Sequence, residues 1–132
     1  MFDPNIKILI VDDMMTMRKL VEKACKDLGF KNFESAKNGR EAWGKIDGSK
    51  DAPFDLVLSD WNMPESSGLD LLKRVRADSR FKTLPFVLIT AESEKSQIVE
   101  AIKSGVSSYL VKPFTAAGLK EKLEAVHKKH QG

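Results

Sequence analysis

Five short apolar runs punctuate the chain, near residues 6–11, 32–36, 55–59, 86–90 and 107–111. Ile8-Leu9-Ile10-Val11 is unbroken by any polar residue, and Leu56-Val57-Leu58 and Val87-Leu88-Ile89 repeat the pattern. Runs of this length and composition predict strands buried on both faces, the signature of a parallel sheet covered by helices. The stretches between them carry apolar residues at helical spacing. Met17, Leu20, Val21, Ala24 and Leu28 form one stripe, which Gly29 is placed to end. Leu69, Leu72 and Val75 mark the third helix; Ile98, Ala101 and Ile102 mark the fourth, ending near Gly105; Leu119, Leu123 and Val126 mark the fifth. Each stripe is expected to face the core rather than a partner.

Strands separated by single helices demand right-handed crossovers. The expected fold is therefore α/β, a five-stranded parallel sheet in the doubly wound, flavodoxin-like (βα)5 arrangement. At 132 residues the chain has the length of one domain, spanning 1–132, with enough material for a real core. It is 42% hydrophobic and 31% charged, without repeats or low-complexity segments, which argues against disorder. No signal-peptide pattern and no apolar run of membrane-spanning length is present, so a cytoplasmic protein with no membrane insertion is expected. The lone Cys25 excludes an intrachain disulfide and reads as a small core filler. A net charge of +3 raises the question of nucleic acid, but 22 basic residues are interspersed with 19 acids, and no recognition module or basic arm is present. Direct nucleic-acid binding is not expected. Lys120, Lys122, Lys128 and Lys129 read as a solvated face of the last helix, where cations suit the helix dipole. His127 and His130 are three apart on that helix, too few ligands for a metal site.

The chemistry gathers at the strand ends. Asp12 and Asp13 follow the first run, Asp60 the third, Thr90 ends the fourth and Lys112 follows the fifth. Each has an ordinary reading: Asp12 or Asp13 as a helix cap, Thr90 as a strand-end residue, Lys112 as a surface lysine before Pro113. In a doubly wound sheet, however, ligands bind beyond the carboxyl ends of the strands, and this topology gathers all five residues around one crevice. Carboxylate oxygens suit magnesium, and there is no Cys or His cluster to favour zinc. Beside a bound cation, Lys112 and Thr90 could hold the oxygens of a phosphoryl group, and Asp60, the isolated acid, is the choice of nucleophile for an aspartyl phosphate. The Lys112–Pro113 bond is a candidate cis peptide.

Val11-Asp12-Asp13, Ser59-Asp60-Trp61-Asn62-Met63-Pro64, Val87-Leu88-Ile89-Thr90-Ala91-Glu92 and Tyr109-Leu110-Val111-Lys112-Pro113-Phe114-Thr115 resemble, in order and spacing, the signatures of the receiver domain of two-component response regulators. The likeness runs from residue 6 to about residue 129 and is strongest to single-domain chemotaxis regulators. It implies that Asp60 accepts a phosphoryl group from a histidine kinase. It also implies that Asp13, Asp60 and the Asn62 backbone carbonyl bind Mg2+, with Asp12 assisting through water, while Thr90 and Lys112 contact the phosphoryl group. Thr90 and Tyr109 are then the switch, altering the surface made by the fourth helix, fifth strand and fifth helix. Without the motif, Tyr109 would read as an ordinary half-buried surface aromatic. Asn62 and Glu92 match choices at positions that tune hydrolysis in the family, implying fast signal decay.

The resemblance thus implies a phospho-accepting switch rather than an enzyme: a monomer that docks the flagellar motor switch protein to control chemotaxis and is reset with a possible phosphatase. The alternative within the same chemistry is a phosphorelay intermediate or phosphate sink without direct motor output. A free-standing aspartyl phosphatase would want a second acid where Asn62 stands, and a flavin protein would want hydroxyls and amides where Asp12 and Asp13 stand. Met14-Met15, Ser93-Glu94-Lys95 and the basic end Lys128-Lys129-His130 depart from the familiar pattern and bear on partner identity. Trp61, beside the acceptor, would report on the site by fluorescence if partly exposed.

Overall fold

The computed structural model describes residues 2–49, 53–61, 63, 67–91 and 95–131. The strands are β1 Lys7–Val11, β2 Asn32–Ala36, β3 Leu56–Asp60, β4 Phe86–Thr90 and β5 Ser108–Val111. The helices are α1 Met15–Asp27, α2 Gly39–Asp47, α3 Gly68–Ala77, α4 Lys95–Lys103 and α5 Ala116–Gln131, with a short 3-10 turn at Ser79–Phe81. The strands form one parallel sheet in the order β2-β1-β3-β4-β5, the doubly wound arrangement expected from the alternation.

The unbroken apolar runs are explained by what covers them. Ile8, Ile10, Leu56, Leu58, Val87 and Ile89 point to one face, against Val21, Ala24 and Cys25 of α1 and Leu119, Leu123 and Val126 of α5. Leu9, Val11, Val57, Phe86 and Leu88 point to the other, against Ala42 and Ile46 of α2, Leu71, Leu72 and Val75 of α3, and Ala101 of α4. Successive strand residues face opposite layers, so both must be apolar. Cys25 is fully buried, and burial pushes its thiol up to about 12, as befits packing rather than reactivity.

Two stripe residues do not meet the expectation. Leu20 is 51% exposed and Ile102 60% exposed. Each adjoins a buried residue, Val21 and Ala101, and one residue along a helix is a rotation of about 100°, enough to carry a side chain off the seam. Met17 and Ile98 are half-buried.

Local capping agrees with the elements. Ser67 and Asp70 form a reciprocal capping box at the start of α3, and Asn38 accepts from the Glu41 amide at the start of α2. Helix α1 has Met14 as its N-cap, with no side-chain cap. Its C-terminal Gly29 adopts φ +99°, in the left-handed region that glycine occupies without strain. Among the described residues, no helix is long and apolar enough to cross a membrane.

Gly68 is where the α3 layer comes closest to the functional edge of the sheet. Its amide donates to the Trp61 carbonyl at 2.8 Å, and a Cβ there would overlap the Asp60 carbonyl oxygen and the Leu88 side chain. Gly44, exposed within α2, has open space around the same vector. Gly68→Ala is therefore expected to lower unfolding free energy by about 1–3 kcal/mol through overpacking. Gly44→Ala should raise it by about 0.5–1 kcal/mol through helix propensity. Urea unfolding of the two variants beside wild type checks both signs.

Candidate functional site

Strands β1 and β3 are neighbours in register, Val11 opposite Ser59, so their C-terminal acids emerge side by side. Asp60 is the last residue of β3, and Asp12 and Asp13 follow directly on β1. Asp12 and Asp60 are buried, at 3% and 7% exposure, whereas Asp13 is exposed. One carboxylate oxygen from each of Asp12, Asp13 and Asp60 lies within 4.8 Å of the others. Three hard oxygen donors in that space fit a magnesium-like cation and suit neither zinc nor copper.

Lys112 reaches this cluster from the segment after β5. Its Nζ donates to Asp60 Oδ1 at 2.9 Å and lies 3.8 Å from Asp12 Oδ2. The strand beneath is secured by the Lys112 amide, which donates to the Thr90 carbonyl at 2.8 Å. The Lys112–Pro113 bond is cis. Thr90, 1% exposed, ends β4 next to the end of β3, where Asp60 lies opposite Ile89. The topology therefore brings together Asp12, Asp13, Asp60, Thr90 and Lys112 at one sheet edge. Tyr109 stands apart from the acids: it is half-buried on edge strand β5, opposite Leu88, with Lys122 Nζ 4.9 Å from its ring centroid.

The capping question at Asp12 has a mixed answer. Asp12 Oδ1 accepts from the Met14 amide at 2.9 Å, so it tethers the entry to α1, but the same carboxylate also faces Lys112. Burial raises the Asp12 carboxyl above its ordinary value near 3.8; the Met14 amide and Lys112 pull it down, and the Asp60 charge pushes it further up. Asn62, expected to offer its carbonyl, and Glu92 lie outside the described residues, as do Ser93 and Glu94. Trp61 is 7% exposed, so the partial exposure imagined for it is not found; its amide donates to the Ile89 carbonyl, which turns the ring inward against the α3 layer.

Sequence reasoning passed over three supports of the site. Arg18 donates to the Asp12 carbonyl at 2.7 Å, Ser59 Oγ donates to the Asp60 carbonyl at 3.0 Å, and Gly68 packs against that same carbonyl. Arg18 had a signal in its position one turn into α1. Gly68 had none, because the close approach depends on how α3 docks.

A model of the response regulator receiver domain family matches residues 8–124. Chemotaxis protein CheY-3 of Vibrio cholerae is 52% identical over 92% of this chain and 92% of its own length. Chemotaxis protein CheY1 of Helicobacter pylori is 48% identical over 92% of this chain and 96% of its own. Among solved structures, the chemotaxis response regulator CheY4 of Vibrio cholerae superposes with a TM-score of 0.81 at 35% identity, covering 92% of this chain and 98% of that one.

The raised Asp12 carboxyl has a consequence for stability. A group whose folded pKa exceeds its unfolded value favours folding below the unfolded pKa, and that contribution is lost as pH rises through the folded pKa. Ionised Asp12 is thus a burden on the metal-free protein at neutral pH. Asp12→Asn, which keeps an acceptor for the Met14 amide, is expected to raise the melting temperature at pH 7 in chelator. The gain should shrink as the pH falls from neutral through the raised folded pKa and be gone below about 4, near the ordinary Asp pKa. Thermal melts across that interval check the sign.

Proposed function

This chain belongs to the response regulator receiver domain family, and from that premise we propose that it is a single-domain phospho-switch of chemotaxis, with Asp60 as the phosphoryl acceptor. The observation that carries the reading is the meeting of Asp12, Asp13 and Asp60 within 4.8 Å, with Lys112 bonded to the acceptor carboxylate.

In the proposed reaction an Asp60 oxygen attacks the phosphorus of a kinase phosphohistidine. The O–P bond forms as the P–N bond breaks, and the departing histidine nitrogen keeps the bond electrons and takes a proton. The chain's part is positioning and charge stabilisation, which is most of what phosphoryl transfer requires of a protein. Asp12, Asp13 and Asp60, with the Asn62 carbonyl, would hold a magnesium ion, which would supply positive charge to offset that of the acids and the phosphoryl group. Lys112 presents an ammonium to the same acceptor and would pass from the carboxylate to a phosphoryl oxygen. Thr90 supplies a hydroxyl at the end of the neighbouring strand.

The output follows from the register of the sheet. Thr90 pairs with Val111, and Tyr109, two residues earlier, pairs with Leu88. Residues two apart on a strand share a face, so Thr90 and Tyr109 belong to the same layer. Drawing the Thr90 hydroxyl toward a phosphoryl group changes the space available to the Tyr109 ring, and the surface of α4, β5 and α5 changes with it. Phosphorylation then shifts a two-state equilibrium by contacts made in one state only.

The names of the relatives support chemotaxis as the setting. The proposed partners are a histidine kinase, a flagellar motor switch protein and a phosphatase. The proposed setting is the cytoplasm, and the chain acts there as a monomeric switch that assists its own phosphorylation and dephosphorylation.

Acetyl phosphate and magnesium provide the test, with mass spectrometry as the readout. Wild type should gain one acid-labile phosphoryl group, and the gain should be lost in Asp60→Asn. Tyr109→Ala should label at close to the wild-type rate yet lose affinity for the phospho-dependent partner. Labelling that survives Asp60→Asn, or that disappears in Tyr109→Ala, would overturn the assignment of roles.

A further inference from the structure

A second cavity, of about 550 Å³, opens at the opposite end of the sheet, where β4 and β5 begin. Its size falls in the range of small-molecule sites. Its walls carry the cations Arg76, Lys82 and Lys129, and among the described residues no carboxylate lines it. Ile102, Val106 and Tyr109 supply an apolar side.

Arg76, half-buried, is the anchor. It donates from Nε to the Gly105 carbonyl at 2.8 Å and from one terminal nitrogen to the Phe81 carbonyl at 3.0 Å; the other terminal nitrogen lies 3.5 Å from Ser107 Oγ. Every one of these acceptors is neutral. A guanidinium has five N–H groups, so donors remain after these three contacts, and its charge has no carboxylate partner among the described residues. Burial works against the charged form of Arg76, which an anion would offset.

The hydroxyl beside it is oriented by its neighbours. Ser107 Oγ accepts from the Phe86 amide at 3.0 Å, faces the Arg76 donor and shares a hydrogen bond with Nε2 of His130, 2.7 Å away. Burial and the nearby Arg76 and Lys129 charges lower the pKa of His130 on this wall. The wall is cationic, carries hydroxyl and imidazole groups, and has one greasy side.

We propose that this cavity binds phosphate, either the free ion or the phosphate group of a small organic molecule, with Lys82 and Lys129 closing on an oxyanion seated against Arg76. Lys82 and Lys129 are exposed and make no ion pair among the described residues, so they can be changed without disturbing the core.

The test is an amide NMR titration of the full chain in chelator, with inorganic phosphate at ionic strength held constant by chloride. Saturable shifts are expected at Gly105, Ser107 and Ser108, with Asp13 and Asp60 unmoved. The double variant Lys82→Gln/Lys129→Gln should bind on the order of tenfold more weakly, as expected for losing charge-assisted contacts. A parallel titration with phenyl phosphate separates the sources: tighter binding identifies an organic ligand using the Ile102 and Tyr109 side, and equal binding identifies free phosphate. Shifts that never saturate, that chloride reproduces, or that persist unchanged in the double variant would overturn the proposal.

Discussion

The molecule must hold like charges close together, and the rest of its design follows from that constraint. Asp12, Asp13 and Asp60 converge at one sheet edge, two of them buried, and among the described residues Lys112 is the cation paired with Asp12 and Asp60. At an effective dielectric of about 20, unit charges about 4 Å apart interact by about 4 kcal/mol, so each acid pair is a repulsion that the ammonium only partly offsets. Three carboxylates against one ammonium leave an excess of negative charge whenever all are ionised. The site is consequently built to take up further positive charge, and the Asp12 carboxyl is raised first by its burial and further by the Asp60 charge.

Such an arrangement holds only on a rigid base. Strands β1, β3 and β4 supply it by being covered on both faces, which leaves their ends as the places where polar side chains can meet solvent. The backbone bonds from Trp61 to Ile89 and from Lys112 to Thr90 carry the pairing to the edge of the site. Gly68 lets α3 press against the Asp60 carbonyl where any side chain would collide. Thr90 and Tyr109 sit on the adjacent paired strands β4 and β5, so the same backbone pairing fixes where both stand.

The candidate site was legible because its residues lie at strand ends, and strand ends follow from periodicity. An apolar run closing in Asp12-Asp13 or Asp60 states both the burial and the chemistry in a few residues. Helix faces were less legible. Leu20 and Ile102 fit their stripes by spacing yet are exposed, since the width of a buried face depends on how closely the helix lies on the sheet. Trp61, whose exposure the sequence left open, is buried in the core layer that includes α3. The cationic cavity was not legible as a site: the basic end Lys128-Lys129-His130 stood out in the sequence, but nothing there said that it meets Arg76, Lys82 and Ser107, which come from three other segments.

The division has a physical basis. By itself the sequence determined what local periodicity and short-range chemistry control: the alternation of strands and helices, the parallel sheet, and the acids, threonine and lysine at its carboxyl edge. Tertiary structure decided what depends on the packing of one layer against another: the distance between Lys112 and Asp60, the burial of Asp12 and Trp61, the clearance at Gly68, and the gathering of Arg76, Ser107 and His130 around one cavity. Backbone pairing sets a strand's period within a few residues. A contact between distant elements is settled only when the whole core has closed.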